Sequence, residues 1–445
     1  MIERKILSST SSVCPECLAK VPAERVSYDD KVYLEKSCPQ HGDFSALLWQ
    51  GEPAWQEWVR PKIPTQPQVC YTEVSKGCPF DCGLCADHHQ HTCTALLEVT
   101  QRCNLKCSFC FAAAGGHSID PDLATIDRWY EQVLLASGTC NIQLSGGEPT
   151  LRDDLPAIIA LGKAKGFNFV QLNTNGLRLA RDTAYVQRLK EAGLDSVFLQ
   201  FDGTEAEIYP ILRGSAILEH KLAAIRNCAR ANIGVVLVPT LVPGVNTHNI
   251  GAIVKFALEQ LPTVRGVHFQ PVSYFGRYPK PPADADRITL PRVMREIESQ
   301  TNGLIKAANL KPPGCENALC SFHGNFKVLP NGSLQALSNT CCSGEKAEEG
   351  ARKTRSFVAR QWSGPTKSPG SENAAQADQW DILLQNLKTH SFSVSAMAFQ
   401  DAWNLDLARL QDCCIHVVSP AGKLIPFCAY NLTNSQGQGL YRQGG

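Results

Sequence analysis

Cysteine spacing carries the chemistry of this sequence. Cys103-x3-Cys107-x2-Cys110 puts three thiols on one short loop, a spacing that can hold three corners of a [4Fe–4S] cube. No fourth cysteine stands at hand. The next, Cys140, precedes the strand-like NIQLSGGEP, so it falls at that strand's entry end, roughly 17 Å from the exit end. A cube held by three thiolates keeps one iron open, and an open position is where a metal site does chemistry.

Other cysteine runs point to structural or electron-carrying centres. Cys78-x3-Cys82-x2-Cys85 repeats the same spacing, and Cys93 follows closely enough to supply a fourth corner. Such a closed cube passes electrons but cannot bind substrate. Cys14-x2-Cys17 and Cys38-x2-His41 flank the strand-like YDDKVYLEK; three thiolates and an imidazole close a tetrahedral shell around Zn or a lone rubredoxin-like Fe. A distant cysteine is the alternative to His41. Near the end of the chain, Cys315, Cys320, Cys414 and Cys428 suit a further cube, with Cys413 competing for one corner. Cys341 and Cys342 are either structural or at the mouth of the site, and Cys228, inside a helical pattern, reads as core. His88, His89 and His91 read as hydrogen-bonding or solvated, Arg277 as a surface residue or an anion holder, and Tyr430 and Tyr441 as packing residues.

From residue 96 the chain alternates strand-like and helix-like segments. Strands are expected at 96–102, 141–149, 169–176, 196–203, 233–241 and 264–272, with amphipathic helical patterns between them. The spacing of about 30 residues is the βαβ period of a parallel sheet. This α/β pattern predicts a (βα)6 partial TIM barrel, with an open doubly wound sheet as the alternative. In such barrels the strand exit ends carry the site. Here they hold Cys103–Cys110, Gly146-Gly147-Glu148-Pro149, Asn173–Gly176, Gln200 with Asp202, and Gln270.

Composition excludes several classes. Lys+Arg 43 against Asp+Glu 42 leaves a net charge of +1, which argues against a nucleic-acid partner. With 43% hydrophobic and 19% charged residues, the 445-residue chain is expected to fold, not to remain disordered. No secretory start and no run of 18 apolar residues is present, so a cytoplasmic protein with reduced thiols is expected.

CNLKCSFC after the first strand and SGGEPT after the second resemble the radical S-adenosylmethionine (SAM) enzymes. In those enzymes the open iron chelates the methionine end of SAM, one electron breaks the sulfonium, and a 5′-deoxyadenosyl radical abstracts hydrogen. The resemblance implies that Cys103, Cys107 and Cys110 hold the radical cluster and that Gly146, Gly147 and Glu148 meet the methionine amine. It places Phe109 near the adenine, and Asn175 and Asp202, or neighbours on their rim, near ribose or sulfonium. KGCPFDCGLC, CPEC, CPQHGDF, FQPVSYFGR, CCIHVV and IPFCAYN are similar, over most of the chain, to the tetraether lipid synthase and dihydro-hydroxymethylpterin dimethyltransferase family. That family implies a mononuclear Fe or Zn, two auxiliary [4Fe–4S] clusters, and an electron donor such as ferredoxin or flavodoxin.

On this likeness the chain divides into a metal ribbon at 1–62, an auxiliary-cluster segment at 63–95, the radical SAM barrel at 96–275, and a C-terminal auxiliary-cluster and substrate region at 276–342 and 381–445. The polar, Pro/Gly/Ser-rich segment 343–380 is expected to be a flexible insertion. Coupling of lipid chains is the leading expectation and would bring peripheral contact with a membrane. Radical methylation of a pterin is the alternative, and needs a smaller polar pocket. An Fe–S electron carrier or metal scaffold is the reading from another class.

Overall fold

Six segments of β-branched and aliphatic residues line up side by side in a computed structural model that describes residues 3–115, 119–337, 345–364 and 390–442. They are Thr94–Thr100, Asn141–Gly146, Val170–Thr174, Ser196–Gln200, Gly234–Val238 and Val264–Pro271, all parallel and in sequence order. We number them as barrel strands one to six. Each lies within an expected strand segment or within two residues of it. Alternation decides the rest: Ile142, Leu144, Leu172, Val197 and Leu199 bury against the helices, while Gln143, Ser145, Gln171, Asn173 and Phe198 face a central cavity. The helices between strands follow their apolar stripes, as in Leu123–Ser137, where Ile126, Trp129, Tyr130, Val133 and Ala136 are buried.

The sheet does not stop at the sixth strand. Ser391–Met397 pairs in parallel with strand six, and Ile415–Val418 pairs in parallel with strand one. Antiparallel Ser321–Val328 and Leu424–Pro426 extend the two edges. The C-terminal region therefore continues the barrel wall, and it carries its cysteines to the entry end of strand one.

The segment 343–380, expected to be a flexible insertion, is corrected in part. Ala347–Trp362 is a helix, with Glu348 and Glu349 in its first turn and Arg360 in its last, charges that suit the helix dipole. Polar composition hid it because much of its surface faces solvent. It lies across the strand entry ends. Arg355 donates to Ser137 O and Thr139 O, and Gly364 N donates to Asp195 O. Gly234 permits this approach, since a Cβ there would stand 2.2 Å from Trp362 O. Residues 365–389, and with them Cys341 and Cys342, lie outside the described residues.

The N-terminal ribbon is a four-stranded antiparallel sheet, β1 (Arg4–Val13), β2 (Lys20–Tyr28), β3 (Lys31–Cys38) and β4 (Gly42–Gln50). Polar ties dock it on the barrel. Asp406, fully buried, accepts from Arg25 Nε (2.7 Å), Arg25 Nη2 (2.8 Å) and Thr10 Oγ1 (2.8 Å). The buried Lys36 ammonium donates to Ala402 O (2.6 Å) and Ser12 Oγ (3.0 Å). Burial lowers the Lys36 pKa to about 7. Among the described residues no helix is long and apolar enough to cross a membrane. Asp406→Ala leaves Arg25 without its buried partner, so it should destabilise the docked ribbon by about 3 kcal/mol. A fall in the denaturation midpoint, with early proteolysis before residue 62, would register it; an unchanged midpoint would contradict this tie.

Candidate active site

The three-thiol loop leaves strand one at the barrel's exit rim. Its backbone is clamped from separate elements. Cys110 and Arg277 form a β-bridge, and Arg277 Nε donates to Cys107 O (2.9 Å). Ser108 N donates to Leu212 O, and Glu148 N to Arg102 O (2.8 Å). Arg277, read from sequence as a surface residue or anion holder, is thus a clamp. Gly146 and Gly147 run against the loop so closely that a Cβ on either would stand 2.1 Å from Thr100 O or Arg102 O. Cys103, Cys107 and Cys110 all border the cavity, as do Phe109, Gly146, Gly147, Glu148 and Asn175. Burial raises the Cys103 thiol to about 11 in the metal-free chain. The donor set suits a cube: three thiols on one wall, not converged as tightly as the single-ion group in the ribbon.

Glu148 is buried and its carboxylate is engaged. Oε1 accepts from Thr150 N (3.1 Å), Thr150 Oγ1 (2.6 Å) and Thr174 Oγ1 (2.6 Å), and Oε2 from Asn175 N (2.7 Å). The side chain therefore fixes the exit ends of strands two and three. Asn175 is oriented in turn, donating to Asn104 Oδ1 (2.8 Å) and accepting from Leu177 N (3.0 Å).

Asp202 requires a correction. It is fully buried and does not border the cavity; its carboxylate is paired with Arg213, whose Nε lies 2.7 Å away. Arg213 is the member of the pair that borders the cavity. The resemblance placed Asp202, or a neighbour on its rim, near ribose or sulfonium; the turn after Gln200 carries the Asp202 carboxylate away from the cavity. Lys221, also missed, donates to Asn175 O (2.5 Å) and is lowered to about 8 by burial, with Asp202 opposing. Only a helical stripe interrupted by one lysine could have signalled it.

The ribbon group is assembled as expected. The ligand atoms of Cys14, Cys17, Cys38 and His41 all lie within 4.8 Å of one another. His41 Nδ1 is 3.6 Å from Cys14 Sγ and 3.5 Å from Cys38 Sγ, and Cys17 Sγ is 4.0 Å from Cys38 Sγ. That spacing fits a tetrahedral ion with Zn–S bonds near ~2.3 Å.

Cys93 also moves. It was expected to complete the Cys78, Cys82 and Cys85 set, but it stands with Cys315 and Cys414, the three sulfurs within 4.8 Å and all buried. Topology is the reason. Strand one pairs with Ile415–Val418 at Thr94↔Ile415, and Cys93 N donates to Cys414 O (2.8 Å). The sulfurs of Cys93 and Cys315 are in contact, while their Cα atoms stand 7.5 Å apart. Cys320, Cys413 and Cys428 are nearby, and the buried Cys428 thiol is raised by burial and further by Cys413 and Cys320. The Cys78–Cys85 loop is secured by Tyr441, whose hydroxyl accepts from Cys82 N (2.8 Å) and donates to Pro79 O (2.7 Å). His88 is buried, within 2.8 Å of Cys413 O, and Cys228 is core.

A parallel barrel with a clamped CNLKCSFC loop and a glycine-paired second rim defines a radical SAM enzyme, and the Radical SAM superfamily model matches residues 97–257. The HMPTM N-terminal zinc ribbon domain model matches residues 6–50. The chain is 34% identical to the 7,8-dihydro-6-hydroxymethylpterin dimethyltransferase of Methanocaldococcus jannaschii over 96% of its own length and 94% of that protein, and it belongs to that family. It is also 37% identical, over 29% of its length and 44% of the other chain, to a probable GTP 3′,8-cyclase of Methanococcus aeolicus. The crystal structure of Streptococcus suis SuiB aligns with TM-score 0.39 and 16% identity, over 48% of this chain and 46% of that one. Membership of the radical SAM superfamily implies a [4Fe–4S] cluster and SAM as the enzyme's cofactors.

Two outcomes check the site. Cys38→Ala should release one mononuclear metal per chain, Zn or Fe by elemental analysis, while the cluster iron seen by Mössbauer spectroscopy stays; retained metal would remove Cys38 from the shell. Cys93→Ala should perturb the centre that also responds to Cys414→Ala, read by Mössbauer spectroscopy. A Cys93→Ala spectrum matching that of Cys82→Ala would restore the grouping expected from spacing.

Proposed function

We propose that this enzyme is a radical SAM C-methyltransferase acting on a reduced pterin. The observation that carries the reading is the lining of the cavity. It encloses about 770 Å³, the scale of a small-molecule site. Its inner wall bears Gln143, Asn173, Gln171, Gln200, Gln270 and Asn325. Phe109, Phe111, Phe198 and Phe399 make the rest of the lining largely apolar. Such a mixed wall suits a flat, hydrogen-bonding heterocycle, whose faces the rings can cover, whereas an alkyl chain would leave the buried Asn173 and Asn325 Oδ1 atoms unpaired. The activity of the Methanocaldococcus relative supports the same choice, so the alternative expectation is favoured over lipid coupling.

In this reading Cys103, Cys107 and Cys110 hold the radical cluster. Gly146, Gly147 and Glu148 shape the cradle for the methionine end, Phe109 faces the adenine, and Asn175 with Arg213 borders the ribose and sulfonium. When bound, cluster and SAM supply the 5′-deoxyadenosyl radical. The chain's own residues keep water out and orient the ring below the rim. Two auxiliary clusters are assigned, one at Cys78, Cys82 and Cys85 and one among Cys93, Cys315, Cys320, Cys413, Cys414 and Cys428. The wide Cα spacing of Cys93 and Cys315, beyond the usual disulfide span of ~4.4–6.8 Å, fits thiolates facing a shared centre. Electrons would come from a donor such as ferredoxin or flavodoxin.

Anaerobic enzyme, reductant, 7,8-dihydro-6-hydroxymethylpterin, SAM and a one-carbon donor (a second SAM, which leaves as S-adenosylhomocysteine, or a reduced one-carbon carrier) should give a pterin heavier by one or two methyl groups, with 5′-deoxyadenosine from the cleaved SAM, and Cys107→Ala should give neither. Steady 5′-deoxyadenosine formation without any change in pterin mass would refute the substrate.

A further inference from the structure

We infer that the middle of the barrel is a subsite for one planar, nitrogen-rich ring, stacked on an aromatic wall of Phe198, His268 and Trp362 and read along its N–H edge by the side-chain carbonyls of Asn173 and Asn325. The identity of the ring rests on the pterin reading above; the subsite itself does not.

The wall is assembled from three distant parts of the chain. The rings of Phe198 and His268 stack at 5.6 Å and 24°, and Trp362 lies 4.9 Å from Phe198 and 6.2 Å from His268. All three border the cavity. Trp362 comes from the helix that closes the strand entry ends, and its Nε1 is tied to Ser393 Oγ (3.2 Å). The His268 ring is fixed by Ser395 Oγ at 2.8 Å. Burial lowers this imidazole to about 4, so it is neutral near pH 7 and offers stacking without positive charge.

Beside the wall stand two acceptors with no partner. Asn173 is the register neighbour of Phe198, and Asn325 of Ser393. Among the described residues nothing donates to the Oδ1 atom of either; both atoms are buried, and Asn325 is only 7% exposed. Leaving a buried carbonyl unpaired is costly, so a persistent orphan points to a group that arrives with a ligand. The amides behind Asn173 reinforce this. Asn173 Nδ2 donates to Gln143 Oε1 (3.3 Å), Gln143 Nε2 to Gln171 Oε1 (2.9 Å), and Gln171 Nε2 to Ser196 Oγ (3.2 Å). Every donor in the chain points the same way, which leaves an acceptor at its cavity end. Two carbonyl acceptors select N–H donors, as an amino group and its adjacent ring N–H provide, and not an anion.

The test is anaerobic equilibrium dialysis of cluster-loaded full-length enzyme against 6-hydroxymethylpterin and 6-hydroxymethyllumazine, in which a carbonyl replaces the amino group. Wild type should retain the pterin at least about tenfold more tightly than the lumazine. Asn325→Leu and Asn173→Leu should erase that preference. Trp362→Leu should weaken both rings about tenfold, and Trp362→Phe should restore them. Circular dichroism checks that each variant folds, and the Phe variant guards against a Leu variant that does not. Equal affinity for the two rings, retention of neither, or wild-type affinity in Trp362→Leu would each overturn the subsite. Pterin held through these residues with no methylated product would end the reaction assignment and leave the subsite standing. Methylation with unaltered affinities in the variants would do the reverse.

Discussion

Three thiols on one eight-residue loop must face a single point while their backbone finds partners elsewhere, and the exit rim is arranged around that demand. A loop this short cannot satisfy its own amides and carbonyls, and unpaired buried backbone is expensive. Arg277 supplies a β-bridge and a guanidinium contact, Leu212 O receives Ser108 N, and Arg102 O receives Glu148 N. Gly146 and Gly147 are required because the second rim lies against the first with no room for a Cβ. The buried Glu148 carboxylate then couples that rim to the third strand. The thiols are thus preorganised by contacts that their loop makes with other elements of the barrel.

Below the rim the barrel interior is divided by chemistry along its length. Cys103, Cys107 and Cys110 border one end, and the buried Cys93 and Cys414 border the other, with strand one spanning roughly 20 Å between them. Amides and aromatic rings occupy the stretch between. The helix Ala347–Trp362 lies across the strand entry ends, so that end of the cavity is covered by the chain itself. Each feature is supplied by a different segment of the chain, so the site depends on the whole sheet and not on one motif.

Much of this could be read from the sequence. Strand positions followed from runs of β-branched residues at a regular interval, and the metal ribbon from two Cys-x2 knuckles. Local spacing carries such features because their ligands are close in the chain. Cys93 was misgrouped because its neighbours Cys315 and Cys414 are brought in by a parallel pairing between strands more than 300 residues apart in the chain. The helix ending in Trp362 was hidden by its charged surface. Asp202 was placed at the rim by the family resemblance; the turn after Gln200 takes it out of the cavity, and Arg213, which no motif marked, borders the cavity instead. The orphan carbonyls of Asn173 and Asn325 have no sequence signature, since only packing reveals that nothing else reaches them.

The account stands on SAM binding directly to the cluster held by Cys103, Cys107 and Cys110. Electron–nuclear double resonance on the reduced enzyme with SAM labelled by ¹⁷O at its carboxylate measures that contact. Strong coupling of the label to the cluster, lost in Cys110→Ala, is the predicted result. A spectrum with no oxygen coupling while SAM is demonstrably bound would contradict it.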